Sequence, residues 1–207
     1  TECDIIFTLV ATPSLEDGSY DVSSVWKVVK DFKTASKNTE VFNKSLVVGC
    51  TTNPGDCNEI QDYLSVDPDT FGVNVFYNPE FIAQGTIIKD LQNADTVLIC
   101  GDKFITEHDH VTVLKKIYEH IQSGNCSVHY MSTKAGEIVK IAINTFLTTK
   151  ISYANTIGQV LALSELDDEI DSVLEAIGND SRIGTKYLKF GFGFGGPCFP
   201  RDNRAFA

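Results

Sequence analysis

The sequence is short of positive charge. Seventeen lysines and arginines stand against 28 aspartates and glutamates, a formal net charge of -11. Gripping a nucleic-acid backbone takes clustered Lys and Arg, so this balance argues against a nucleic-acid partner. One small phosphorylated ligand held by a few local cations remains compatible with it. No apolar run approaches the roughly 20 residues that cross a bilayer, and no segment reads as a signal peptide. No membrane partner is expected, and the expected location is cytoplasmic. The cysteines Cys3, Cys50, Cys57, Cys100, Cys126 and Cys198 include no C-x-x-C pair. Their spacing suits neither a zinc site nor a small disulfide scaffold, and reduced core thiols fit a cytosolic compartment. His108-Asp109-His110 has no third ligand nearby. It reads as a solvated helix face, so no metal is expected.

What is present is an ordinary globular composition, 43% hydrophobic and 22% charged over 207 residues, enough for a sizeable core. Residues 3–10 read as a strand ending at Ala11-Thr12-Pro13. A turn at Glu16-Asp17-Gly18 leads to a helix N-capped within Asp21-Val22-Ser23-Ser24, with Val25, Val28, Val29 and Phe32 on one face. Residues 45–50, 72–76 and 96–100 are further strands. A helix with Pro54 in its first turn and a polar helix over 106–120 lie among them. This alternation predicts an α/β fold with a parallel sheet wound by right-handed crossovers.

From about residue 132 to 166 there is no proline, and Ile138, Ile141, Ala142, Thr145, Phe146 and Thr149 recur at helical spacing. A helix of that length suggests a spine between domains. Asp167, Asp168, Glu169 and Asp171 open the next helix, where their charge suits the macrodipole. The expected division is residues 1–130, an incomplete Rossmann-type sheet, and residues 131–207, an all-α domain built on the long helix. No G-x-G-x-x-G stands at the first strand-to-helix turn, where such sheets hold a pyrophosphate. The chain opens on a strand and stops inside a helix, so it is expected to be part of a longer protein.

Near the end, Gly191-Phe192-Gly193-Phe194-Gly195-Gly196-Pro197-Cys198-Phe199-Pro200-Arg201-Asp202 puts a thiol at the tip of a glycine loop, just before a helix start. A helix N-terminus and a cation such as Arg201 both favour a thiolate, the reactive form. Lys140 and Asn144, four apart on the long helix, share a face.

The cysteine run resembles the catalytic loop of the UDP-glucose/GDP-mannose 6-dehydrogenase family, with Pro197 for the usual serine and Arg201 for the usual lysine. The likeness continues in order through most of the chain. Thr12-Pro13 is similar to the family's dinucleotide-contacting turn, and Thr51-Thr52-Asn53-Pro54 to its S-T-V-P turn. Asn78-Pro79-Glu80-Phe81-Ile82-Ala83-Gln84-Gly85 resembles N-P-E-F-L-x-E-G, with Gln84 in place of a second glutamate. Gly136-Glu137-Ile138-Val139-Lys140-Ile141-Ala142-Ile143-Asn144 resembles its K-x-x-x-N helix, and Ser181-Arg182-Ile183-Gly184 its R-I-G turn.

The resemblance implies NAD as cofactor and a nucleotide sugar as substrate. UDP-glucose is expected first, then GDP-mannose or a UDP-N-acetylhexosamine. It makes residues 1–130 the C-terminal half of an NAD-binding domain. It implies catalytic roles for Cys198, Lys140, Asn144, Asp202, Glu80 and Thr52, and cofactor contacts from Val10, Thr12, Pro13, Thr51, Thr52, Gln84, Cys198 and Arg201. Substrate contacts fall on Glu80, Phe81, Gln84, Lys140, Asn144, Arg182, Lys189, Phe192, Gly193 and Gly195, with Arg182 reaching a neighbouring subunit of a homodimer paired through the central helices. Glutamine keeps an acceptor at residue 84 but does not ionise. Two other classes stay open: a cysteine acyl hydrolase, for which no histidine lies in a motif near the thiol, and an inactive dimerisation fragment. On its own the segment is expected to be inactive and to bind NAD poorly.

Overall fold

The computed structural model describes the chain except residues 1–2, 38–42, 71, 83–84, 103–105, 107 and 125. It divides into two compact units, Thr1–Lys140 and Ile141–Ala207.

The first unit runs β1 (Ile5–Thr8), α1 (Ser23–Ser36), β2 (Ser45–Val48), α2 (Asp56–Ser65), β3 (Asn74–Tyr77), α3 (Ile87–Gln92), β4 (Thr96–Gly101), α4 (Asp109–Ile121) and β5 (Ser127–Ser132), and takes in the start of α5 (Thr133–Leu163). The strands form one sheet in chain order. β1, β2 and β3 are parallel neighbours, as are β4 and β5. The β3–β4 pair departs from the expected all-parallel sheet: it is antiparallel and bridges at Tyr77 and Cys100. The helix between these strands is six residues, Ile87–Gln92.

β2 is buried along its whole length and β3 along most of it, so both faces of the sheet are covered. On one face Leu46, Val48, Val75, Tyr77, Leu98 and Cys100 pack with Val25 and Val29 of α1 and Cys57, Ile60 and Leu64 of α2. On the other, Val47, Phe76, Val97 and Ile99 meet Val111 and Leu114 of α4.

Several local details differ from the sequence reading. Val22 takes the cap position of α1 without a side-chain bond. Asp21 instead accepts from the Ser23 N–H at 2.9 Å, one residue early. α2 begins after Pro54, with Gly55 at its cap. His110 is buried and its Nδ1 pairs with the Ser45 hydroxyl at 2.7 Å, so it is no solvated residue; the ring belongs to the α4–sheet packing. His108 caps α4 by accepting from the His110 N–H. Among the described residues no cluster of three or more metal-ligating side chains forms, and no helix is long and apolar enough to cross a membrane.

The second unit comprises the rest of α5, a 3-10 turn at Asp167–Glu169, α6 (Ile170–Gly178), the glycine loop and α7 (Phe199–Phe206). Its core is small: Ala154, Ile170, Leu174 and Leu188, flanked by Ile157, Leu161 and Ile177. Of the apolar face expected on α5, Ile141 is buried while Ile138 and Phe146 are exposed.

Gly136 marks where α5 lies closest to the sheet of the first unit: a Cβ there would sit 2.3 Å from the Cys100 Sγ and 3.2 Å from the Tyr77 ring. Gly136→Ala should therefore lower stability by about 1–2 kcal/mol, overpacking outweighing the gain in helix propensity. Urea unfolding measures this, and an equal or higher midpoint contradicts it.

Burial, with the Glu137 charge adding to it, pushes the Cys100 thiol up to about 12. Burial also raises Cys57 and Tyr77 well above their ordinary values. The unfolded chain releases these protons first, thiols at about 8.5. The native state therefore binds more protons in that range, and its stability, intact below pH 8.5, falls as pH rises toward 12. The slope is about 1.4 kcal/mol per pH unit for each such group. Urea midpoints taken from pH 8 to pH 11 should decline steadily; a flat profile contradicts this.

Candidate active site

In the first unit the expected site residues gather at the C-terminal ends of β1 and β2, where ligands bind in open α/β sheets. Thr12 and Pro13 follow β1; Thr51 and Thr52 follow β2. Thr12, Thr51 and Thr52 are buried, Pro13 is exposed, and Val10 packs half-buried on the main core. Asn53 ties the two turns together. Its side-chain oxygen accepts from the Tyr20 N–H at 2.8 Å and its amide donates to the Tyr20 carbonyl at 3.1 Å. The Pro13 carbonyl accepts from Asp21 N–H at 2.7 Å, closing the first turn on itself.

Beneath Thr52 lies a residue to which the sequence reading gave no role. Glu137, fully buried on α5, accepts from the Thr52 hydroxyl at 3.0 Å, the Gly55 N–H at 2.6 Å and the Cys57 N–H at 2.9 Å. α2 has no side-chain cap of its own. The carboxylate supplies that cap, and a negative charge suits the N-terminus of α2.

A second group forms around the Asn-Pro-Glu-Phe segment. Buried Asn78 donates to the Leu98 carbonyl and accepts from the Tyr118 hydroxyl, each at 2.6 Å, which fixes the exit from β3. Lys140 donates to the Glu80 carbonyl. Its ammonium also lies 4.6 Å from the centre of the Phe81 ring, a cation–π contact. Glu80, Phe81 and Lys140 are thus brought together. Gln84 lies outside the described residues.

In the second unit, Cys198 is exposed and immediately precedes α7, with Pro200 in the first turn of that helix. Gly196 has φ +80°, a left-handed conformation that favours glycine just before the thiol. Asp202, one turn on, is fully buried. One of its oxygens accepts from the Asn144 amide at 2.5 Å and the other from Arg201 Nε at 2.8 Å. A carboxylate out of water needs such partners. Asn144, Arg201 and Asp202 therefore form one connected set at the head of α7.

The substrate-contact candidates lie further along this unit. Asp180 holds Arg182 with two bonds, at 2.9 and 2.6 Å, and lowers its own ionisation range in doing so; the guanidinium stays solvent-exposed. Lys189, Phe192 and Gly193 line a cleft of about 420 Å³ with Tyr187 and Phe190. Gly195 is exposed in the same loop.

Two anchors here also escaped the sequence reading. Asn155 accepts from the Gly191 N–H at 3.0 Å, and Lys150 donates to the carbonyls of Ile183 and Gly184 at 3.1 and 3.0 Å. Polar residues on a predominantly apolar helix were the available signal, but a surface position explains such residues equally well.

Thr12, Pro13, Thr51 and Thr52 fit part of a dinucleotide, since they stand at the strand ends where one binds. A glycine turn for the pyrophosphate is absent from the turn after β1, which reads Val10-Ala11-Thr12-Pro13.

The NAD binding domain of the UDP-glucose/GDP-mannose dehydrogenase family matches residues 1–122, and the central domain of the same family matches residues 134–207. UDP-glucose 6-dehydrogenase of Pseudomonas aeruginosa is 32% identical over 99% of this chain and 44% of its own length. The enzyme of the same name from Rickettsia conorii is 33% identical over 96% of this chain and 43% of its own length. The structure of a UDP-glucose dehydrogenase from Pyrobaculum islandicum superposes with a TM-score of 0.84 at 29% identity, over 98% of this chain and 45% of that one. The chain spans less than half the length of these relatives. With both domain types matched in order, it belongs to the UDP-glucose/GDP-mannose dehydrogenase family.

Proposed function

We propose that the chain supplies part of the NAD-binding domain and the thiol-bearing central domain of a nucleotide-sugar 6-dehydrogenase, with UDP-glucose as substrate. The observation that carries this reading is the head of α7: an exposed thiol at the end of a glycine loop, with buried Asp202 one turn behind it bonded to Asn144 and Arg201.

Converting a primary alcohol to a carboxylate removes four electrons as two hydrides. NAD+ is the hydride acceptor in both oxidations, and Thr12, Pro13, Thr51 and Thr52 are the residues proposed to hold it, Arg201 and Cys198 contributing from the central domain. The aldehyde between the two oxidations is reactive, and a covalent tether retains it. The Cys198 sulfur adds to the aldehyde carbon and gives a thiohemiacetal, whose oxidation leaves a thioester. Negative charge develops on the same substrate oxygen in successive steps, and the Lys140 ammonium and Asn144 amide are its proposed donors. One such donor is worth about 3–4 kcal/mol in the transition state. Asp202 keeps the Asn144 amide oriented. Water then adds to the thioester carbonyl, Glu80 taking its proton and Thr52 holding it in place; the C–S bond breaks and the thiol is regenerated.

Arg182, Lys189, Phe192, Gly193 and Gly195 are the proposed sugar-nucleotide contacts, Arg182 acting toward a second subunit. Phe146, Tyr153 and Val160, all exposed on α5, recur every seven residues, a spacing that supports helix pairing in a homodimer.

In a full-length polypeptide carrying this segment, Cys198→Ser should lower NAD-dependent formation of UDP-glucuronate by about a thousandfold or more. Unchanged turnover contradicts the covalent scheme. Acid formed without NAD+ favours an acyl hydrolase instead. For the segment alone, calorimetry should detect little NAD+ binding; tight binding contradicts the assignment to a partial domain.

A further inference from the structure

Glu137 carries more than a helix cap. A carboxylate is an acceptor only, and a threonine hydroxyl has one proton and two lone pairs. Both side chains are fully buried, and the Thr52 proton points at Glu137 Oε1 across 3.0 Å. The carboxylate is itself held by the Gly55 and Cys57 N–H groups, so it does not turn away. The hydroxyl can therefore only accept from anything else it meets. A water on Thr52 must donate to it, which directs that water's own lone pair elsewhere. A freely rotating hydroxyl could donate to the water instead, which draws electron density from the oxygen that has to attack and makes it a weaker nucleophile.

We propose that Glu137 is the positioning residue of Thr52: it accepts the hydroxyl's hydrogen bond, so that Thr52 in turn accepts a hydrogen bond from the hydrolytic water and places no donor on the oxygen that attacks the thioester carbon, while Glu80 remains the group that takes the water's proton. This rests on the function proposed above. It also accounts for a carboxylate where glutamine would fill the same space. A glutamine NH2 in place of Oε2 would face the Gly55 N–H, and in place of Oε1 the Cys57 N–H, donor against donor in either case; in the second it would also leave the Thr52 proton without its acceptor.

Two readouts separate this from a capping role. The first needs no activity. In an isotope-labelled sample of this chain, the Thr52 hydroxyl proton should give a slowly exchanging NMR resonance that Glu137→Ala abolishes. No such resonance, or one that survives the substitution, overturns the inference. The second uses a full-length polypeptide carrying the segment. There Glu137→Gln should lower kcat about tenfold, the effect of one lost hydrogen bond, with KM for the sugar nucleotide unchanged. The same substitution in a Thr52→Val background should cost nothing further. An equal penalty in both backgrounds reduces Glu137 to a helix cap and overturns the inference. If the wild-type polypeptide forms no acid with NAD+, the proposed function fails, and the hydroxyl resonance alone decides whether Glu137 holds Thr52.

Discussion

A carboxylate removed from water destabilises a protein unless donors surround it, and the first unit is arranged around one that meets this condition. Glu137 reaches from α5 to a turn some eighty residues earlier and receives three hydrogen bonds there. The consequences spread from that point. α2 starts where the anion can face its first N–H groups, and the Thr52 hydroxyl is fixed. Asn53, next in the chain, carries the restraint to Tyr20 and hence to the turn after β1. Cys57, Cys100 and Tyr77 are all buried nearby, and Gly136 lets the helix come close enough for Glu137 to make these contacts. Displacing α5 there would strand a buried charge, so helix and turn are coupled.

The second unit repeats the device at smaller scale. Asp202 is likewise fully buried on a helix, and its two oxygens are taken by Asn144 and Arg201. Its effect is to orient an amide rather than a hydroxyl. In both units a buried anion fixes a neutral polar group, and that fixed group is the one to which the proposed chemistry gives a task. Preorganised dipoles of this kind need not reorient as charge develops, which is where their catalytic value lies. The exposed Cys198 contrasts with the fully buried Asp202 one turn on: a nucleophile must be reachable, whereas what orients a donor need not be.

Much of the fold was legible because it is written in local periodicity. The apolar runs of β2 and β4, the proline-free stretch of α5, and the glycine loop ending at a helix start all appear where those patterns put them. β5 and α3 were not foreseen. Ser127–Ser132 is half exposed with a weak alternation, and Ile87–Gln92 is less than two turns long. The antiparallel β3–β4 pair is a tertiary feature with no sequence pattern of its own. His110 was misjudged because its partner, Ser45, lies 65 residues away. The candidate site divides in the same way. Cys198, Lys140, Asn144 and Glu80 stand in motifs, so a resemblance brings them forward. Glu137 sits inside one of those motifs, yet its function depends on three donors far off in the chain.

Amide hydrogen exchange at Gly55 and Cys57 tests the central constraint most directly, because loop amides at a helix start ordinarily exchange fast. The account predicts that both are strongly protected in this chain and that Glu137→Ala returns them to the rates of an exposed turn. Fast exchange in the unaltered chain, or protection that persists without the carboxylate, would contradict it.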